Sequence, residues 1–117
     1  MTLYTRVLSY LRPHLTALAA AGAATFAFAA LDAGAHALKL FPAEAGSPAL
    51  VKAHRAVLPR VVPLLVVGGI TPGGMQSFRA AGADGFGLGG ALYRPGSTAQ
   101  EVARRARTFV DALSESV

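Results

Sequence analysis

Three short apolar runs alternate with stretches of helical periodicity, and this alternation constrains the fold more than any other feature of the 117-residue chain. The runs are residues 35–41, 61–67 and 84–88. Apolar runs of this length, placed between helices, are typical of parallel strands that are covered on both faces. Strand–helix alternation with short connections therefore predicts an α/β fold with parallel strands and right-handed crossovers.

The predicted helices have clear start and stop signals. They are an alanine-rich helix over 25–33 that stops at Gly34, a helix from the Ser47-Pro48 cap to Pro59, one over about 73–81, and one over about 98–113. Glu101 lies three residues after Thr98, which is the spacing of a capping box. The predicted order is thus one helix followed by three strand–helix units.

Lys39 lies in the middle of the first apolar run, with no acidic residue within four positions on either side. Side chains alternate along a strand, so Lys39 and Phe41 share one face and His36 lies on the face expected to meet the helices. A lysine that is buried among apolar groups has its pKa lowered, and the neutral amine can attack a ketone to form an imine. The alternative is a surface lysine on an edge strand.

Glycine pairs follow the second and third runs, at Gly68-Gly69 and Gly89-Gly90. Glycine lets backbone N–H groups approach an anion closely, and the following helix adds its positive end. Parallel strands carry their sites at their carboxyl ends, and neighbouring glycine-ended strands near the end of a TIM barrel bind phosphate. Together with Lys39, the two pairs predict an imine-forming site for a phosphorylated carbonyl compound.

Composition excludes several other classes of site. The chain has no cysteine, so it has neither disulfides nor cysteine-ligated metal, and its three histidines lack metal-site spacing. The net charge of +5 suits anionic small molecules, and no nucleic-acid motif is present. Residues 15–31 are uncharged, but the segment is too short to predict a membrane span, and its mostly small residues make it too weakly apolar.

Three motifs resemble the 2-keto-3-deoxy-6-phosphogluconate aldolase family, in order and at the family's spacing. They are Leu38-Lys39-Leu40-Phe41-Pro42-Ala43-Glu44, Val67-Gly68-Gly69-Ile70-Thr71-Pro72, and Gly82 to Gly89 with Ala91-Leu92-Tyr93. The resemblance covers residues 25–113. Leu40 and the Gly-Phe-Gly-Leu-Gly run are most similar to the 6-phosphogalactonate branch.

The resemblance implies a class I aldolase of TIM-barrel fold, usually a trimer, that is cytoplasmic and needs no metal or other cofactor. Lys39 would be the Schiff-base lysine, Phe41 would pack beside the substrate, and Gly68 and Gly69 would contact the phosphate through their backbone. The implied substrate is 2-dehydro-3-deoxy-6-phosphogalactonate or its gluconate epimer. The products would be pyruvate and glyceraldehyde 3-phosphate.

Departures from the family pattern qualify this expectation. A complete barrel needs about 200 residues or more, whereas this sequence predicts the last three strand–helix units and a preceding helix. We therefore expect residues 25–117 to form the C-terminal half of an aldolase barrel and to be truncated and impaired as an enzyme. Residues 1–24 are unassigned; a shifted reading frame or a wrongly assigned start is one hypothesis, which an upstream coding segment with barrel-strand patterns would support. Gly90 replaces a serine that usually helps to hold phosphate.

Two alternatives remain open at this point. One is a non-catalytic half-barrel that self-associates or binds phosphate only, because unpaired strand edges invite association. The other is a different phosphate-binding barrel enzyme in which Lys39 is structural. Among the remaining residues, Asp84 is expected to orient the start of the third strand and Glu44 to lie near the next helix start, while Tyr93 and Arg94 fit either the phosphate site or loop packing equally well.

Overall fold

The computed structural model describes residues 27–44 and 46–115 of the chain. Two units make up the chain, Met1–Ala35 and His36–Val117. In the first unit residues 27–32 are helical, and Gly34 follows with a φ of 94°. The N–H groups of Gly34 and Ala35 donate to the carbonyls of Leu31 and Ala30, which is the Schellman pattern for ending a helix. Gly34 thus ends the helix as predicted, and the unassigned segment 1–24 lies outside the described residues.

The second unit is built on a three-stranded sheet in the order β1-β2-β3. The strands are β1 (Leu38–Leu40), β2 (Leu64–Val67) and β3 (Gly85–Gly87), and both neighbouring pairs are parallel. In the register, Leu65 lies opposite both Lys39 and Gly85. The predicted parallel order is confirmed, although each strand is shorter than its apolar run. Before β2 the chain is still turning, with the Val62 N–H bonded to the Pro59 carbonyl.

A helix follows each strand. The helices are α1 (Pro48–Val57), α2 (Met75–Ala80) and α3 (Ala99–Ser114), and a 3₁₀ turn (Pro72–Gly74) leads into α2. Helix α2 contacts both α1 and α3. Thr98 and Glu101 form the predicted capping box at the start of α3, and Ser47 with Pro48 begins α1 as predicted.

The core lies on one side of β2. Leu64 and Val66 are buried, whereas Leu65 and Val67 on the opposite face are only half-buried. The rest of the buried apolar set is Ala43, Val51, Leu58, Ile70, Met75, Ala83 and Phe109. The prediction that the sheet is covered on both faces is therefore wrong for the part of the chain that the structure describes, since the Leu65 face is left partly open.

Two histidine positions complete this picture of the core. His36 was expected to face the helices but is exposed, because β1 begins only at Leu38 and the chain before it does not follow the strand. His54 on α1 is buried instead, and its Nδ1 lies 2.8 Å from the carbonyl oxygen of Leu50. That contact within the helix satisfies one ring nitrogen of His54.

Arg55 joins the amino ends of β2 and β3. Its Nε donates to the Gly82 carbonyl at 2.7 Å, its Nη1 donates to the Val62 carbonyl at 2.9 Å, and its Nη2 forms an ion pair with Asp84. The same Asp84 carboxylate accepts the Leu64 N–H at 2.7 Å. Asp84 thus orients the start of β3 as predicted, whereas its partner Arg55 was not foreseen.

Candidate functional site

An open cavity of about 480 Å³ lies at the carboxyl ends of the three strands. It is lined by Phe41, Glu44, Val67, Gly68, Gly69, Ile70, Thr71, Gly87, Leu88, Gly89, Gly90, Ala91 and Arg94. Five of the six residues predicted from the sequence as a site, Phe41 and the two glycine pairs, are therefore brought together. The reason is the parallel order of the strands, which places all their carboxyl ends at one edge of the sheet.

Gly68 and Gly69 shape the wall of the cavity that follows β2. Both have positive φ, 100° and 62°, a region that side chains disfavour. A Cβ on Gly68 would lie 3.0 Å from Cε2 of Phe41, and one on Gly69 would lie 2.8 Å from Cγ of Glu44. The turn therefore needs glycine twice over, for its backbone conformation and for the close approach of Phe41 and Glu44.

Gly89 and Gly90 form the wall that follows β3. They begin a turn in which the N–H groups of Leu92 and Tyr93 both donate to the Gly89 carbonyl. No atom lies within 4 Å of the Cβ position at either glycine, so this wall is open. Within the described chain, the N–H groups of Gly69 and Gly90 take part in none of the hydrogen bonds between residues, which leaves both donors free for a ligand.

The Nζ of Lys39 lies 5.5 Å from the centre of the Phe41 ring. The expected burial of Lys39 is wrong: the side chain is exposed, and Lys39 is not among the residues that line the cavity. The reason is that its face of the sheet has no covering element among the described residues, and β1 is an edge strand there. The catalytic role of Lys39 therefore stays a prediction, and the desolvation that was expected to favour it is not provided by these residues.

Two charged residues of the cavity, Glu44 and Arg94, were not in the predicted site. Glu44 was expected only near the start of α1, which begins at Pro48. Arg94 follows the β3 glycines, a position that fitted loop packing as well as ligand binding. The sequence did not indicate that Arg94 lines the cavity, because its position depends on the fold of the turn after Gly89. This turn brings the chain back so that the Arg94 Nε donates to the Gly90 carbonyl at 3.0 Å.

Within residues 27–44 and 46–115, none of the helices has the length and apolar character needed to cross a membrane.

The chain was compared with known proteins by sequence and by structure. No protein-family model matches the chain. The chain is 47% identical over 94 residues to 2-dehydro-3-deoxy-6-phosphogalactonate aldolase of Escherichia coli (strain K12), a match that covers 80% of this chain and 46% of the relative. It is 44% identical over 82 residues to a probable 2-dehydro-3-deoxy-6-phosphogalactonate aldolase of Rhizobium meliloti (strain 1021), covering 70% and 39% respectively.

Solved structures give the same result. The native KDPGal structure matches with a TM-score of 0.78 and 46% identity, over 80% of this chain and 45% of the other. A cube-shaped, porous protein cage designed by fusing symmetric oligomeric domains matches with a TM-score of 0.77 and 46% identity, over 80% and 34%. The three parallel strand–helix units with a cavity at their carboxyl ends are thus part of a TIM-barrel aldolase fold.

The chain belongs to the 2-keto-3-deoxy-6-phosphogluconate aldolase family, and the relatives it matches are 2-dehydro-3-deoxy-6-phosphogalactonate aldolases. It spans about half the length, or less, of these curated relatives.

Proposed function

We propose that the chain carries the Schiff-base and phosphate-binding part of a class I aldolase. The substrate is 2-dehydro-3-deoxy-6-phosphogalactonate or its gluconate epimer, and the products are pyruvate and glyceraldehyde 3-phosphate. The observation that carries the proposal is the cavity, which gathers Phe41 and both glycine pairs beside the face of Lys39 in a chain 47% identical to such an aldolase.

The chemistry assigns one task to Lys39 and another to the two glycine pairs. The Nζ of Lys39 attacks the ketone carbon of the substrate, and loss of water gives an iminium ion. The iminium withdraws electrons as the carbon–carbon bond breaks, so the aldehyde product leaves and an enamine remains. Protonation and hydrolysis of the enamine then release pyruvate and free Lys39. The phosphate lies on the N–H groups of the glycine pairs, where backbone donors and the ends of helices favour an anion.

We propose further that the chain by itself, residues 25–117 acting as the half-barrel, turns over slowly. Lys39 is exposed in the described structure, so water is not excluded from the amine as catalysis of this kind requires. By resemblance to the family, the general-base glutamate belongs to earlier barrel strands, and loss of such positioned proton transfer typically costs about 10²–10⁴-fold in rate. An oligomer, a trimer by family resemblance, and a cytoplasmic location belong to the same proposal.

The proposal is tested by pyruvate release from 2-dehydro-3-deoxy-6-phosphogalactonate, followed with a lactate dehydrogenase coupled assay. We expect slow release that Lys39→Ala abolishes and that Lys52→Ala leaves intact, since Lys52 is an exposed lysine on α1. Equal release by the wild-type chain and Lys39→Ala would overturn the assignment.

A non-catalytic half-barrel that self-associates is the second candidate, favoured by one observation. Within the described sheet, β1 and β3 each pair on one side only, and unpaired parallel edges can recruit another strand. Sedimentation velocity over a range of concentrations separates the candidates. Self-association without any Lys39-dependent pyruvate release would support this candidate, and a monomer at every concentration would exclude it.

A further inference from the structure

Glu44 and Arg94 are the charged side chains of the cavity, and they are opposite in sign. Glu44 lies against the Gly69 turn, where its Cγ is 2.8 Å from the Cβ position of that glycine. A carboxylate at this point repels an anion that binds the N–H of Gly69. Arg94 lines the same cavity beside Gly90, and its positive charge opposes that repulsion.

The backbone of Arg94 is held by a small hydrogen-bond network. The Arg94 N–H donates to the Ser97 Oγ at 3.3 Å. The Nη1 of Arg105, on α3, donates to the same hydroxyl at 3.0 Å and to the Leu92 carbonyl at 3.3 Å. These bonds tie the loop to α3, so the loop that carries Arg94 does not have to be ordered at the moment of binding.

The guanidinium of Arg94 has donors to spare. Its Nε donates to the Gly90 carbonyl at 3.0 Å, and within the described residues the terminal nitrogens of Arg94 take part in no hydrogen bond or ion pair. Arginine presents its donors in a planar fork that matches phosphate oxygens, so one bond to the backbone leaves the outer pair for a ligand. Gly90, whose N–H would bind the phosphate, thus also holds the cation beside it through its carbonyl oxygen.

We propose that Arg94 is a specificity-determining residue that supplies the positive charge for the phosphate group of the ligand, in opposition to Glu44. The inference rests on the proposed function for its ligand class, a phosphorylated carbonyl compound. It goes beyond that function by adding a side-chain cation to a phosphate site otherwise made of glycine backbone, and by making Glu44 a negative determinant of the same site.

The test uses the full 117-residue chain and inorganic phosphate as the probe. Affinity is measured by calorimetric titration, and the site is located by phosphate-induced shifts of the Gly69 and Gly90 amide resonances. Arg94→Gln should weaken binding about tenfold, since a charge-assisted contact is worth more than a neutral one and this one is partly screened. Arg94→Lys should recover part of the loss because it keeps the charge without the fork.

Two further variants make the test specific. Glu44→Gln should tighten phosphate binding by a few-fold, which is opposite in sign to Arg94→Gln. Arg60→Gln removes the same charge from an exposed position before β2, at the other end of the sheet, and should change the affinity by less than about twofold. The proposal would be overturned if Arg94→Gln and Arg60→Gln lost the same phosphate affinity. It would also be overturned if phosphate left the amide resonances of Gly69 and Gly90 unchanged.

Pyruvate separates this inference from the proposed function, because pyruvate carries no phosphate. Borohydride trapping of pyruvate on the wild-type chain therefore tests the Lys39 chemistry without the phosphate site. Trapping with no Arg94-dependent phosphate binding would overturn the inference alone. Arg94-dependent phosphate binding with no trapping would support the inference while removing the aldolase chemistry.

Discussion

The two ends of the sheet are built on opposite principles. At the amino ends of β2 and β3, Arg55, Asp84 and the Leu64 N–H satisfy one another, and the Arg55 side chain is only 7% exposed. At the carboxyl ends, glycine turns leave backbone donors open around a cavity. Polar groups at the amino ends are thus paired with one another and hold the strands together, whereas the Gly69 and Gly90 N–H groups at the carboxyl ends have no partner among the described residues.

The largest expected effect comes from breaking the ion pair at the amino ends of β2 and β3. Asp84→Ala would leave the Arg55 guanidinium without its carboxylate and the Leu64 N–H without its acceptor. We expect a loss of about 2–3 kcal/mol in the free energy of unfolding, below the usual cost of breaking a fully buried pair because the Asp84 side chain is 48% exposed. Urea unfolding followed by circular dichroism measures it.

The control is Asp111→Asn, which removes an exposed carboxylate from α3 and should cost less than about 0.5 kcal/mol. Equal free energies of unfolding for the Asp84 and Asp111 variants would mean that the Arg55–Asp84 ion pair does not stabilise the amino ends of β2 and β3.

A second change tests how permissive the open end is. A Cβ on Gly87 would lie 2.6 Å from Cγ2 of Val67, whereas nothing lies within 4 Å of the Cβ position at Gly89. Gly87→Ala should therefore cost about 1–3 kcal/mol through overpacking, and Gly89→Ala should be close to neutral. Thermal unfolding of the two variants side by side gives the comparison, and a neutral Gly87→Ala would show that Val67 can move away at little cost.

A third change should increase the phosphate affinity of the site at the carboxyl ends of the strands. Neither the φ of Gly90 nor its surroundings prevents a side chain, and a serine is usual in the family at this position. Gly90→Ser should tighten phosphate binding by about two- to tenfold, the net value of one added hydrogen bond. Gly90→Ala supplies the Cβ without the hydroxyl, so calorimetry should find the gain in the serine variant alone. An equal gain in both variants would refute the hydroxyl contact.

The smallest effect concerns the capping box, which belongs to neither end. Hydrogen bonds from the Thr98 N–H, at 2.8 Å, and from its hydroxyl hold the pKa of Glu101 below its usual value of 4.5. A lowered pKa in the folded state means that ionised Glu101 stabilises the fold above about pH 4.5, and this stabilisation is lost as the pH falls through the lowered pKa.

Glu101→Gln cannot lose that contribution, so the unfolding free energies of wild type and variant should converge as the pH falls from about 6 to about 3. Urea unfolding at a series of pH values gives the two curves. A constant difference between them would contradict the assignment.

Local patterns predicted the local structure. The Thr98–Glu101 spacing predicted a capping box, Gly34 predicted a helix end, and the glycine pairs predicted which strand ends would meet. Relations across the sequence could not be read in this way, since Arg55 and Asp84 are 29 positions apart and nothing near either residue indicates the other.

Burial was the weakest inference from the sequence. An apolar run indicates that a strand is covered, but it does not say which face is covered or by what. Leu64 and Val66 are buried as expected, while Lys39, in the apolar run that forms β1, is exposed on the opposite face. The identity of a strand depends on its own residues, whereas the burial of its side chains depends on what packs against each face.

The proposed function depends on Lys39 forming a Schiff base beside the cavity at the carboxyl ends of the strands. The direct measurement is incubation of the 117-residue chain with pyruvate and sodium borohydride, followed by intact mass and peptide mapping. The chain has two lysines, Lys39 and Lys52, so the map distinguishes them. We expect a single reduced pyruvate adduct on Lys39 that is absent from Lys39→Ala; no adduct, or an adduct that persists in Lys39→Ala, would contradict the role proposed for Lys39.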